Sequence, residues 1–133
     1  MRQDGLTRRA SLFLLAGGGL GLAGCTTLSD AASAEGTGVA RVYAAPPASV
    51  WAIAGEAVGA AGLDVVSVDQ ARGVVLAQHG PTLISYGEDV SVFIRPEGNG
   101  TRIEVVSLRA EAANVLATNW TDPIFEAFDA RLG

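Results

Sequence analysis

Lysine is absent from the 133 residues, histidine and cysteine occur once each, and no apolar run reaches the roughly 20 residues that a spanning helix needs. Each scarcity removes a class of function. One histidine, His79, and one cysteine, Cys25, leave a dedicated zinc or haem site short of ligands. A lone cysteine also forbids an internal disulfide, so an oxidising compartment offers this chain no stabilisation by that route. The familiar nucleophile and phosphate signatures are missing too. There is no G-x-S-x-G, no S-x-x-K and no G-x-x-x-x-G-K, and the glycine cluster Gly17–Gly21 lies near the N-terminus and follows no strand. The expectation is a protein that is not an enzyme and carries no cofactor.

Positive charge is sparse and is all arginine. Beyond Cys25 stand six arginines against thirteen acids, a formal charge of −7. Such a surface repels phosphate backbones and excludes nucleic acid as an expected partner.

What is present begins at the N-terminus. Arg8 and Arg9 precede an uncharged apolar segment, residues 11–24, which ends in Leu22-Ala23-Gly24-Cys25. The segment is too short and too glycine-rich for an ordinary spanning helix, and it reads as a signal peptide over residues 1–24. Leu22-Ala23-Gly24-Cys25 resembles the lipobox of bacterial lipoproteins, which implies cleavage between Gly24 and Cys25 and a thioether-linked diacylglycerol on Cys25. Several acyl chains give stable anchoring where one is marginal. Thr7 to Leu14 also resembles a twin-arginine export signal, with Ser11 where that family prefers Phe, so twin-arginine and general secretory export both stand.

Residues 25–38 read as a lipidated flexible tether, small and polar (TTLSDAASAEGTG after the cysteine), with an r.m.s. reach of about 20 Å. Thr26 replaces the aspartate of the inner-membrane retention signal, and by resemblance to enterobacterial sorting this favours the outer membrane, facing the periplasm.

Residues 39–133 read as one α+β domain. Val39 to Tyr43 suits a strand, Pro46-Pro47 opens a helix, and Val50, Ala54, Ala57, Val58 and Ala61 recur on one helical face before Gly62 ends it. Leu63–Val68 and Gly73–Gln78 suit a hairpin joined by Asp69 to Arg72. Residues 83–87 read as a strand extension or a loop. Asp89–Arg95 and Thr101–Arg109 suit two more strands, linked by Glu97-Gly98-Asn99-Gly100, where Asn-Gly supplies the positive φ. In these, Val90, Val92, Ile94, Ile103 and Val105 share one face, with Arg102 and Glu104 turned outward to solvent. Residues 111–119 suit a short helical turn or a loop. Asp122 as N-cap and Pro123 at the first helical position open a last helix bearing Ile124, Phe125, Phe128 and Leu132. The expected order is β-α-β-β-β-β-α, a four- to five-stranded, mainly antiparallel sheet packed by two helices.

The lipobox, the short tether, Ala45-Pro46-Pro47 with Val50-Trp51, the Gly62-Leu63 exit and Arg72-Gly73-Val74-Val75 together resemble the small uncharacterised lipoproteins of proteobacteria. That resemblance implies fold and location and no mechanism.

The remaining side chains that draw notice are few. His79 reads as an exposed loop histidine, and Glu88 with Asp89 as a solvated strand entry whose carboxylates point to opposite faces. Trp51, Tyr86 and Trp120 read as core or core edge. Phe93, Val106 and Leu108 fall on the second face of the sheet and form a candidate binding surface, unless the final helix covers them. Two functional expectations follow: a binding or envelope-assembly accessory with an envelope protein as partner, or a carrier of a small apolar ligand or lipid between sheet and helix. Replacing Cys25 by Ala should release the protein from membranes, read by fractionation; a variant that stays with the membrane pellet would overturn the lipobox reading.

Overall fold

Strict alternation of apolar residues in the middle of the chain decides the architecture, because it gives a strand one face to bury. A computed structural model describes residues 32–80, 87–109 and 119–133. The expected signal peptide (residues 1–24), Cys25, residues 83–86 of the expected extension and residues 111–118 lie outside the described residues. The order is β1 (Val39–Tyr43), α1 (Pro47–Ala60), β2 (Asp64–Asp69), β3 (Val74–His79), β4 (Glu88–Glu97), β5 (Gly100–Arg109) and α2 (Thr121–Leu132). The five strands form one antiparallel sheet in the order β1-β5-β4-β3-β2, as the patterning anticipates.

Strands β2 to β5 run as a meander, and β1 returns to pair with β5, Val39 opposite Val105 and Tyr43 opposite Thr101. The first two strands therefore occupy opposite edges. Four strand spacings make about 19 Å, and the 14-residue α1 that joins those edges is about 21 Å long. Val50, Ala54, Ala57 and Val58 are its buried positions, and their small size lets the helix lie close against the strands. Gly62, at φ 109, terminates it; its N–H bonds the Gly59 carbonyl at 3.1 Å.

Helix α2 packs on the same face. Ile124, Phe125 and Phe128 are fully buried against Val92, Ile94, Ile103 and Val105 within one cluster. Its start differs from the expectation. The helix begins at Thr121, with Asn119 Oδ1 accepting the Thr121 N–H at 3.0 Å, and the first i to i−4 bond runs from Ile124 N–H to the Trp120 carbonyl. Pro123 thus sits in the first turn, where a missing donor costs nothing, two positions further in than expected. On β1, Tyr43 Oη donates to Asp129 Oδ1 at 2.7 Å and Arg41 stacks 4.4 Å from the Phe125 ring centre, fixing α2 to that edge.

The β4–β5 hairpin also corrects the sequence reading. Glu97 pairs with Gly100, so the turn residues are Gly98 and Asn99, and the positive φ of 58° belongs to Gly98. Glycine first in a two-residue loop is the preference of a II′ turn.

Burial of Tyr43 and its bond to Asp129 push the phenol up to about 12. The neutral phenol is thereby favoured in the fold, and this contribution is present below pH 10 and lost as pH rises through about 12. For the core, Phe128→Ala should cost about 3–5 kcal/mol in denaturant unfolding, since the ring is fully buried and contacts Tyr43 at 6.4 Å. A loss below 1 kcal/mol would mean that α2 does not close the core.

Candidate functional site

The two described helices, α1 and α2, lie on one side, so the opposite face of the sheet is covered by neither. On it Val74, Phe93 and Val106 form a second buried cluster, with Leu76 and Leu108 partly buried beside them. The candidate binding residues Phe93, Val106 and Leu108 are therefore brought together, but not in the open: Phe93 is only 2% exposed and Val106 4%. The final helix is not their cover. Ala34, from the stretch just before β1, packs against the cluster.

That stretch is fastened by three kinds of contact. The Glu35 carboxylate takes two bonds from Arg95, at 2.8 Å from Nε and 3.0 Å from Nη2, the planar fork that suits guanidinium and carboxylate. The Gly36 N–H points between both oxygens of Glu104 at 2.9 Å each, and the Gly38 N–H reaches Oε2 at 2.9 Å. Arg102 Nη1 stands 3.4 Å from Oε1. Glu104 is fully buried, against the expectation that it faces solvent. A buried carboxylate without partners costs several kcal/mol, and bonds from backbone donors to a charged acceptor return about 1.5–3 kcal/mol each. Glycine is required at position 38: a Cβ there would collide with the Val105 carbonyl.

A second polar group closes one end of the sheet. Glu88 and Asp89, expected to be solvated, are both buried. They do diverge to opposite faces. Asp89 accepts from Gln78 Nε2 at 2.8 Å on the outer face, while Glu88 Oε2 lies 3.0 Å from His79 Nδ1 on the helix side. His79 is half-buried, its ring 5.1 Å from that of Trp120. It is thus a packed and paired histidine instead of a loop residue. The cross-strand register that creates both pairs, Gln78 with Asp89 and His79 with Glu88, is a property of β3 and β4 together.

Apolar exposure is concentrated at the sheet edges. Val65, Val66 and Val68 on β2 are 38%, 47% and 50% exposed, and Val39 and Val42 stand out on β1. A bulge between Val65 and Ser67 interrupts the β2 ladder. No alternation signal singled these valines out, because a strand at an edge has the same composition as one within.

Among the described residues no three His, Cys, Asp or Glu side chains gather as metal ligands, and no helix is long and apolar enough to cross a membrane. Arg8, Arg9, Gly24 and Cys25 lie outside the described residues. No protein-family model matches the chain, and no curated protein is similar to it.

The Arg95 guanidinium holds the Glu35 carboxyl below its usual 4.5. The ionised form is favoured in the fold, so this fastening is present above pH 4.5 and is lost as pH falls through the lowered value. Hydrogen exchange at the Gly36 amide, corrected for intrinsic rate, should accelerate across that interval, and Glu35→Gln should flatten this part of the acceleration. An unchanged profile in the variant would show that Arg95 does not hold the stretch.

Proposed function

We propose that this chain is a bacterial lipoprotein, anchored through a lipid on Cys25 in the cell envelope and facing the periplasm, that acts by non-catalytic binding in envelope assembly. The observation that supports a binding role is the valine row of β2. It lies at the edge of the sheet remote from β1, the strand into which the anchored end feeds. Three exposed β-branched side chains there present an apolar strip with Asp64 and Asp69 at its ends. The bulge twists this edge out of a regular ladder, so the strip suits side-chain docking to an envelope protein better than strand addition. Export by the twin-arginine or general secretory route, with outer-membrane placement, completes this reading.

A carrier role has less support. The layer between sheet and helices is taken up by the chain's own side chains, with Val50, Val58, Val92, Ile103 and Phe125 wholly excluded from solvent.

Photo-crosslinking in cells from a benzophenone amino acid in place of Val66 should give a discrete adduct with one envelope protein. Val68→Asp should abolish it with little change in stability, since Val68 is half exposed. A diffuse adduct pattern matching that from a probe in place of the exposed Ala130 would overturn the docking strip.

A further inference from the structure

The two edges of the sheet are built differently. At one, β2 carries a bulge between Val65 and Ser67 and an aspartate at each end, Asp64 and Asp69, and both devices discourage a further strand from adding there. At the other, β1 carries neither. Its residues pair with β5 in one unbroken register, from Val39 opposite Val105 to Tyr43 opposite Thr101. Among the described residues nothing pairs with its other side. The flanking chain turns away from that side. Before β1, Gly36 and Gly38 are bonded to Glu104, and after it the Ala45 carbonyl accepts from Thr101 Oγ1 at 2.8 Å. Val42, 62% exposed, and Val39, 52% exposed, are the most exposed large apolar side chains among the described residues.

We propose that β1 pairs with β1 of a second copy of this chain, antiparallel across a two-fold axis, and joins two five-stranded sheets into one of ten strands. The strand complements itself in that arrangement. With the axis at Arg41, Val39 stands opposite the partner's Tyr43 and Ala40 opposite the partner's Val42, and each pair occurs twice. Val39, Arg41 and Tyr43 share the helix side with Arg41 against Phe125, while Ala40 and Val42 point to the outer side. Apolar side chains therefore meet on both faces. The one charged position falls opposite itself, where bare like charges would repel. Each Arg41 is already matched: its Nη1 lies 3.4 Å from Asp129 Oδ2, and its guanidinium lies 4.4 Å over the Phe125 ring. Two ion pairs of zero net charge, not two cations, meet at the axis.

Such a contact is closed. It consumes β1 on both copies and leaves only the two β2 edges, where antiparallel pairing would set the Asp64 end of one strand beside the Asp69 end of another. Assembly stops at two. An axis perpendicular to the sheet preserves its faces, so α1 and α2 of both copies lie on one side. The β2 edges then stand nine strand spacings apart, about 43 Å along the sheet. The dimer is thereby bivalent for the envelope protein proposed to dock on the valine strip. That consequence rests on the proposed role of β2; the pairing of β1 does not.

The test uses the full chain, purified in detergent. Directly opposed residues of antiparallel strands have Cα atoms about 4.5–5.5 Å apart, within disulfide reach, whereas diagonal neighbours at about 7–8 Å are outside it. A mixture of Ala40→Cys and Val42→Cys chains, left to exchange and then oxidised, should give at least tenfold more covalent dimer than either variant alone, with the wild type as the blank for Cys25. Native mass spectrometry of the wild type should give twice the chain mass. Val42→Asp, at an exposed position that the single chain tolerates, should shift it to the monomer with an unchanged circular dichroism spectrum; Val39→Asp serves if that variant does not fold. A monomeric wild type, or a dimer that both aspartate variants leave intact, would overturn the pairing. Disulfides as abundant in the single variants as in the mixture would overturn the register. Val68→Asp should leave the dimer whole, so failure of the β2 strip and failure of the β1 pairing are read separately.

Discussion

The two described helices, α1 and α2, pack on one face of a five-stranded sheet, and that asymmetry governs the rest of the described structure. It follows from β1 pairing with β5. Once the first strand joins one edge and the second joins the other, the intervening helix must cross the whole sheet, and the last helix fills the space left beside it. The apolar residues of β3, β4 and β5 that point to this side are thereby buried in a single layer. The other face keeps Val74, Phe93 and Val106, which neither α1 nor α2 covers. A sheet of this kind either leaves an apolar patch in water or recruits other chain to it. This one recruits residues 34–38.

The means of recruitment is unusual in being carried by backbone donors. Small residues such as Ala34, Gly36 and Gly38 bring little apolar area, so the hydrophobic gain from the stretch itself is slight. What compensates is charge-assisted bonding: a buried carboxylate that has lost its water must find donors, and two glycine N–H groups supply them. The dependence is mutual. Without the stretch Glu104 would lose its backbone partners; without Glu104 the glycines would have no reason to order.

How much of this could be read in the sequence depends on the distance over which each signal acts. Val90, Val92 and Ile94, with Ile103 and Val105, announce their shared face because alternation is local, and the helix bearing Val50, Ala54 and Val58 announces itself by period. Strand order and the single-sided core follow from these with little else. Glu104 does not announce itself. In Arg102-Ile103-Glu104-Val105 it occupies an outward position like any solvated residue, and its burial comes from glycines 66 and 68 residues away. The stretch around Ala34 lacks periodicity because its contacts run through the backbone, and a small polar composition has the look of a tether whether it is fastened or not. Glu88 and Asp89 stay hidden for a related reason, as their partners lie across a register that only the folded pair of strands defines. At the β4–β5 turn the ambiguity was of one residue: Gly98 and Gly100 both flank Asn99, and pairing of Glu97 with Gly100 selects the first.

Three of these hidden features, Glu88, Asp89 and Glu104, are carboxylates. The domain's excess of acid does not lie evenly in solvent. Glu35, Glu88, Asp89 and Glu104 are each engaged by a named donor or by a paired histidine at the sheet, and on the helices Asp129 is held by Tyr43 and Arg41 and Glu56 by Arg131. The polar contacts that close the outer face of the sheet thus join positions far apart in the chain, and the pattern of one strand alone does not reveal them.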